Sequence, residues 1–224
     1  MKEFLYTLKN GIKDCLSLVI IFLLVFFIFV AAYFILYKLF FIYIAIVTLF
    51  VIFFTLYFFR NPDRKIRYKN GQILSPADGK VLSINKQKEK LYLKSKAYRI
   101  VIFMNIFNVH RNRIPMTGKV EYLKYKPGKF FAAFRREIED VNEQMIIGIR
   151  NRNTKILFKQ IAGLIARRVV CLLKKGDRVK AGELFGMIKF GSALIVYIPE
   201  KFKLKVKEGE KVVAGISVLA SLKK

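Results

Sequence analysis

Lys174-Lys175-Gly176-Asp177-Arg178-Val179-Lys180-Ala181-Gly182 returns 33 residues later as Lys207-Glu208-Gly209-Glu210-Lys211-Val212-Val213-Ala214-Gly215. Both copies read K-x-G-[DE]-[RK]-V-x-A-G. In each, the glycines supply backbone turns that a side chain would obstruct, and the valine between them is a buried strand residue. Two copies are too few for a solenoid, so the pair belongs inside one domain. Pro76-Ala77-Asp78-Gly79-Lys80-Val81 reads as a looser relative of the same turn.

Around these turns the chain consists of short apolar runs punctuated by Gly, Pro and Asn. Val81–Ile84, Arg99–Phe103, Lys119–Leu123, Lys155–Ile161, Arg168–Leu173, Leu184–Ile188, Leu194–Ile198 and Val212–Leu219 are expected as strands at close spacing. The charged stretch Arg135 to Asn142 is expected as a short helix or a loop. Such a pattern predicts a mainly β domain, a barrel or sandwich, rather than alternating β and α units. The repeated turns resemble the barrel-sandwich hybrid of lipoyl and biotinyl carrier domains.

Toward the N-terminus the composition changes. Between Cys15 and Pro62 there is no acidic residue, and the only basic ones are Lys38 and Arg60. Leu16 to Tyr37 is a 22-residue apolar run and Leu39 to Phe59 a second of 21. A hydrocarbon core needs about 20 apolar residues at helical rise, and a cleaved signal peptide has a shorter core. The expectation is a transmembrane helical hairpin at about 16–37 and 39–59, turning at Lys38, with 1–59 as the anchor and 60–224 as the β domain. Lys2, Lys9 and Lys13 precede the first run; Arg60, Arg64, Lys65, Arg67 and Lys69 follow the second. The positive-inside rule puts both flanks, and with them the β domain, on the cytoplasmic side of the cell membrane. A hairpin that dips in without crossing has the same flanks.

The net charge is +27, of which residues 60–224 carry +25. A surplus of this size suits a polyanionic partner. Beside an anchor, an anionic lipid surface is simpler than nucleic acid, for which no interleaved aromatic motif is present. A general lysine-rich bias would give the same count. Cys15 and Cys171 do not form a disulfide framework, in keeping with a reducing compartment.

The chemistry is bounded by a single histidine, His110. Metal sites built on paired histidines are excluded, two distant cysteines do not make a zinc site, and no metal is expected. Neither a G-x-S-x-G elbow nor a G-x-x-x-x-G-K-[ST] phosphate loop is present. Phe190-Gly191-Ser192 lies between two expected strands, where a Gly-Ser pair is ordinarily just a turn. In a strained turn, however, the serine hydroxyl reaches the preceding carbonyl and converts the amide to an ester, a shift favoured by proximity. Elimination across Ser192 then leaves a dehydroalanine, which hydrolyses to a pyruvoyl cap on a new N-terminus.

Five segments, in order and covering nearly the whole chain, resemble the short bacterial-type, pyruvoyl-dependent phosphatidylserine decarboxylases. They are Phe59-Arg60-Asn61-Pro62-Asp63-Arg64, Leu74-Ser75-Pro76-Ala77-Asp78-Gly79-Lys80-Val81, Asn105 to Pro115 (N-I-F-N-V-H-R-N-R-I-P), Gln160 to Arg168 (Q-I-A-G-L-I-A-R-R), and Gly186 to Ser192 (G-M-I-K-F-G-S). The resemblance implies self-cleavage at Gly191-Ser192 into a large chain, 1–191, and a small chain, 192–224, held as a heterodimer. It implies a covalent pyruvoyl group at residue 192, which forms a Schiff base with the serine headgroup of the anionic lipid and releases CO2 to give phosphatidylethanolamine. His110 is implied as proton donor or positioning group, the one side chain that titrates near neutrality unperturbed. Asp78, an ordinary turn residue before Gly, is implied in self-cleavage through support of a base.

Two departures stand out. Long members carry a second histidine three residues beyond the first, where this chain has Arg113, so an Asp-His-Ser relay does not transfer directly. Short members continue F-G-S-R-x-D-V, where this chain has Ala193-Leu194-Ile195-Val196 after Ser192; Lys189, Arg167 and Arg168 are nearby cations that could take over from the missing arginine. Two other readings are a non-enzymatic membrane adaptor with a carrier-like β domain, which predicts an intact chain, and a pyruvoyl decarboxylase of a related serine phospholipid with ether chains, archaetidylserine.

Overall fold

The computed structural model describes residues 13–131, 138–152, 154–163, 169–188 and 192–223. The chain divides into two compact units, Met1–Pro62 and Asp63–Lys224. In the first, helices α1 (Lys13–Leu36) and α2 (Leu39–Phe58) pack against each other. The break falls at Tyr37-Lys38: Tyr37 adopts φ 50°, the left-handed position that ends many helices, and Lys38 is extended. Ala45, Thr48, Ile52 and Thr55 form the buried stripe of α2 at alternating three- and four-residue spacing, as helix pairs require. Thr48 and Thr55 donate their hydroxyls to the carbonyls of Ile44 and Val51, both 2.8 Å, so no hydroxyl is stranded in apolar surroundings. Both helices are long and apolar enough to cross a membrane, and they remain exposed over most of their side chains.

The second unit is mainly β, built on a curved half-barrel sheet of eight strands. Its order is β13 (Lys211–Val212), β2 (Gly79–Glu89), β3 (Ser95–Met104), β11 (Ser192–Pro199), β7 (Lys155–Ile161), β6 (Gln144–Arg150), β5 (Gly118–Lys126), β9 (Arg178–Val179). Every pairing is antiparallel. Two three-stranded sheets pack on its inner face. One is β1 (Gln72–Leu74), β14 (Val218–Leu222), β12 (Phe202–Leu204); the other is β4 (Arg111–Arg113), β10 (Leu184–Ile188), β8 (Val169–Cys171). The main core lies between, with Ile100, Ile102, Met104, Phe158, Leu194, Val196 and Ile198 meeting Ile73, Phe185, Ile188 and Leu219. Residues of opposite parity, Ala97, Val101, Leu157, Ile161, Ala193, Ile195 and Tyr197, form a second cluster on the outer face.

β7 and β10 match the expected strands at both ends. Val212–Leu219 does not: it is two short strands, because Gly215 at φ +74° and the bonds of Ile216 and Ser217 N–H to Val213 O fold the chain into a turn. The expected strand Arg168–Leu173 is described only as Val169–Cys171, and the charged stretch includes a short helix, α3 (Ile138–Val141), its first part lying outside the described residues.

The two copies of K-x-G-[DE]-[RK]-V-x-A-G close the sheet at both of its edges, and they do so identically. Gly176 and Gly209 donate their N–H to Val120 O and Val81 O, both at 2.8 Å. Gly182 and Gly215 donate to Ile114 O and Ser75 O, again both 2.8 Å. A Cβ on either of the latter glycines would press into the Ile66 side chain, at 2.6 Å and 2.8 Å, so both copies converge on Ile66. Pro76–Val81 is therefore not a third copy of the turn. It is the strand against which the second copy pairs, as Pro115–Val120 is for the first, and the two partners share P-x-x-G-K-V.

Candidate active site

β2, β3 and β11 lie side by side, with Phe103 facing Lys80 on one flank and Ala193 on the other. Ser192 faces Met104 at the end of this array. Strand alternation turns Ser192, Leu194 and Val196 toward the inner face and Ala193 and Ile195 outward. Ser192 is fully buried, and its Oγ has no hydrogen-bond partner among the described residues. A buried hydroxyl without a described partner calls for an explanation, because such groups are uncommon in native proteins. Gly191, Phe190 and Lys189 lie outside the described residues, as do Arg167 and Arg168.

His110 is brought to the same place by a loop that runs alongside. The chain leaves β3 at Met104, turns over Asn105–Asn108 and reaches His110, whose carbonyl accepts the N–H of Ile188 at 3.3 Å. One loop thus joins Met104, which faces Ser192, to His110, which holds Ile188. The turn is set by asparagine: Asn105 Oδ1 accepts the N–H groups of Phe107 (2.9 Å) and Asn108 (3.2 Å), and Asn108 Oδ1 accepts that of Asn105 (2.9 Å). His110 is fully buried, with Nδ1 2.9 Å from Asn108 O. A carbonyl only accepts, so Nδ1 carries a proton and, in the neutral ring, Nε2 carries the lone pair.

Next to them lies a pair of buried amides that sequence reading assigned no role. Gln160 on β7 faces Leu194 directly and Ser192 on the diagonal. Its Nε2 donates to Asn112 Oδ1 (2.8 Å) and Val170 O (3.4 Å), and Asn112 Nδ2 points to Met104 Sδ (3.8 Å). The signal in the sequence is a polar residue where the inner-face pattern Ile156, Phe158 calls for a third apolar one. At Gly186 an added Cβ would stand 2.1 Å from Val170 O and 3.1 Å from Gln160 Nε2, so only glycine leaves room for this arrangement.

Asp78 begins the row beyond Gly79 at the same end of the sheet. Its carboxylate is held by Arg64 through two hydrogen bonds, 2.7 and 2.8 Å, and accepts Ala214 N–H at 2.8 Å. Arg64 also donates to Ala214 O, 2.7 Å. Thr117, the counterpart of Asp78 in the other P-x-x-G-K-V segment, accepts Ala181 N–H in the same way, 3.0 Å. Arg113 donates to Gly182 O, 2.9 Å, and a Cβ on Gly215 would meet its Cδ at 2.9 Å, so it braces the paired turns. The Ala193-Leu194-Ile195 segment that replaces the charged pattern is wholly buried in the middle of the sheet, with Ala193 on the face opposite to Ser192.

Among the described residues no group of three or more His, Cys, Asp or Glu is placed to hold a metal ion. The half-buried Cys171 thiol is pushed up to about 11 by burial and stays protonated.

The profile of the phosphatidylserine decarboxylase family matches residues 51–220. Among curated proteins, the phosphatidylserine decarboxylase proenzyme of Carboxydothermus hydrogenoformans is 46% identical over 169 residues, covering 75% of this chain and 79% of that protein. The proenzyme of Prosthecochloris aestuarii is 47% identical over 167 residues, 75% and 76% of the two chains. That of Symbiobacterium thermophilum is 39% identical over 168 residues, 75% and 78%.

Proposed function

The chain belongs to the phosphatidylserine decarboxylase family, a family of carboxy-lyases made as proenzymes, and from that premise we propose that it cuts itself between Gly191 and Ser192 and decarboxylates phosphatidylserine at residue 192. The observation that carries the site assignment is the fully buried Ser192 hydroxyl, without a hydrogen-bond partner among the described residues, at the entry of the central strand and opposite Met104, from which the chain leads to His110.

Ser192 Oγ attacks the carbonyl carbon of residue 191, and His110 Nε2 is the base that takes the hydroxyl proton. The C–N bond breaks to give an ester; loss of the Cα proton then expels Oγ with the residue 191 carboxylate. Water adds to the dehydroalanine left at 192, ammonia departs, and a pyruvoyl group remains. Asp78 acts from a distance as a positioning residue: through Arg64 and Ala214 it holds the turn at the sheet edge against the start of β2, which pairs with β3.

The residues near position 192 fit such a group, since Gln160 and Asn112 place buried amide groups among apolar neighbours, and His110 is buried on the adjoining loop. A pyruvoyl group held there would supply a ketone able to condense with the substrate amine and to take up the electron pair released with CO2. His110 returns a proton to the carbon that loses CO2. The products of cleavage, 1–191 and 192–224, stay together as the working enzyme. The hairpin anchors it, with the β unit on the cytoplasmic side that the flanking lysines and arginines favour. The +25 charge of residues 60–224 attracts anionic lipid, each surface Lys or Arg contributing about 1 kcal/mol near a bilayer.

The purified protein is expected to run as two fragments on a denaturing gel, with the small chain blocked to Edman degradation. Ser192→Ala should remain one chain and release no CO2 from phosphatidylserine. A single intact band in catalytically active material would refute the assignment.

A further inference from the structure

We propose that the side-chain oxygen of Gln160 holds the amine of the substrate headgroup at residue 192, an assignment that rests on the function above and adds a specific contact to it. Gln160 is fully buried, and its Oε1 has no hydrogen-bond partner among the described residues. The direction of the amide is not arbitrary. Val170 O can only accept, so the nitrogen must face it, and the same nitrogen donates to Asn112 Oδ1. Oε1 is therefore left over as an acceptor, on the same face of the sheet as Ser192 and diagonal to it across β7 and β11, a spacing of about 7–8 Å between such positions. That gap suits a small headgroup rather than a direct bond.

The chemistry of the acceptor matches the need. The serine headgroup presents an amine, which must be neutral to attack a ketone. A carboxylate beside it would strongly favour the ammonium form, whereas an uncharged amide oxygen accepts an N–H with a much weaker bias. Asn112 and the space left by Gly186 fix the amide, so the oxygen is preorganised before the lipid arrives.

The test compares Gln160→Met, which keeps length and loses the acceptor, with Gln160→Glu, which sets a carboxylate at the same place. Three quantities are read on full-length protein in detergent. They are self-cleavage on a gel, labelling of the small chain by an aminooxy dye, and reductive trapping of phosphatidylserine on the small chain by cyanoborohydride, followed by mass, alongside KM and kcat. Gln160→Met is expected to be cut and labelled like the unaltered chain, with KM raised and trapping at low lipid reduced by about tenfold or more. Gln160→Glu should be cut and labelled as well, but its carboxylate, by favouring the ammonium form, should keep trapping at neutral pH below that of the unaltered chain. Unchanged KM and trapping in Gln160→Met overturn the proposal. So does failure of both variants to be cut, which would put Gln160 in folding or cleavage instead. If the unaltered chain is neither cut nor labelled, it is the decarboxylase assignment itself that falls.

Discussion

Asp78 and Thr117 occupy equivalent places in the two P-x-x-G-K-V segments, yet only Asp78 carries a charge partner. Arg64 and Asp78 are almost wholly buried, with side-chain exposures of 6% and 13%. Removing one member of such a pair strands the other, which typically costs about 3–5 kcal/mol. Asp78→Asn keeps the shape and is expected to lose at least half of that in thermal unfolding, and to slow self-cleavage on a gel. Thr117→Val removes the matching bond to Ala181 N–H and should cost about 1 kcal/mol without slowing cleavage. Equal slowing by both would mean that turn stability alone governs the reaction. Asp before Gly is readable as a turn from sequence. The Arg64 clasp is not, because it exists only once Ala214, 136 residues away, closes onto the same carboxylate.

The outer face of the sheet carries a second polar group, on α3 and three neighbouring strands. Glu139 of α3 binds Arg99 of β3 and Lys159 of β7, both at 2.7 Å, and accepts the Tyr197 hydroxyl of β11. Burial opposes ionisation of Glu139, but Lys159, Tyr197 and Arg99 together hold its carboxyl below the usual range. Burial and the Glu139 charge in turn push the Tyr197 hydroxyl up. A carboxyl whose pKa is lowered on folding stabilises fully above its unfolded value, about 4.3, and loses that contribution as pH falls through the folded value. Glu139→Gln is therefore expected to lower Tm by roughly 5–10 °C at pH 7. The difference from the unaltered chain should shrink between pH 4 and pH 2. A gap that stays constant over that range would show that the ion pairs contribute nothing.

Strands with a clear apolar run, such as β7 and β10, were readable from the residues alone. β6 was not: Gly148 interrupts its run, and the reason for the glycine is tertiary, since a Cβ there would press on the Tyr92 ring at 2.8 Å.

Cleavage at Gly191 would leave the small chain woven through the whole β unit. β11 lies between β3 and β7 in the middle of the large sheet, β13 pairs with β2, and β14 pairs with β1 and β12. Every residue from Ser192 to Ile198 is buried. Each large apolar side chain among them contributes about 1.5–3 kcal/mol. The two fragments are accordingly expected to co-elute in gel filtration in detergent, at any salt concentration, and to separate only in denaturant. Separation at neutral pH without denaturant would contradict this arrangement. Ala193-Leu194-Ile195 suit this position, since a central strand covered on both faces accepts apolar residues readily.

The two long apolar helices, the mainly β character and the paired turns follow from the sequence, because each depends on the pattern of neighbouring residues: apolar length, short runs, and glycine where a turn admits no side chain. The bond between Gln160 and Asn112, the facing of Ser192 and Met104, the bond of Ile188 N–H to His110 O, and the clasp of Arg64 on Asp78 were decided only by the tertiary structure. Each joins strands far apart in the chain, and strand register, which determines who faces whom across a sheet, is not written in any one of them.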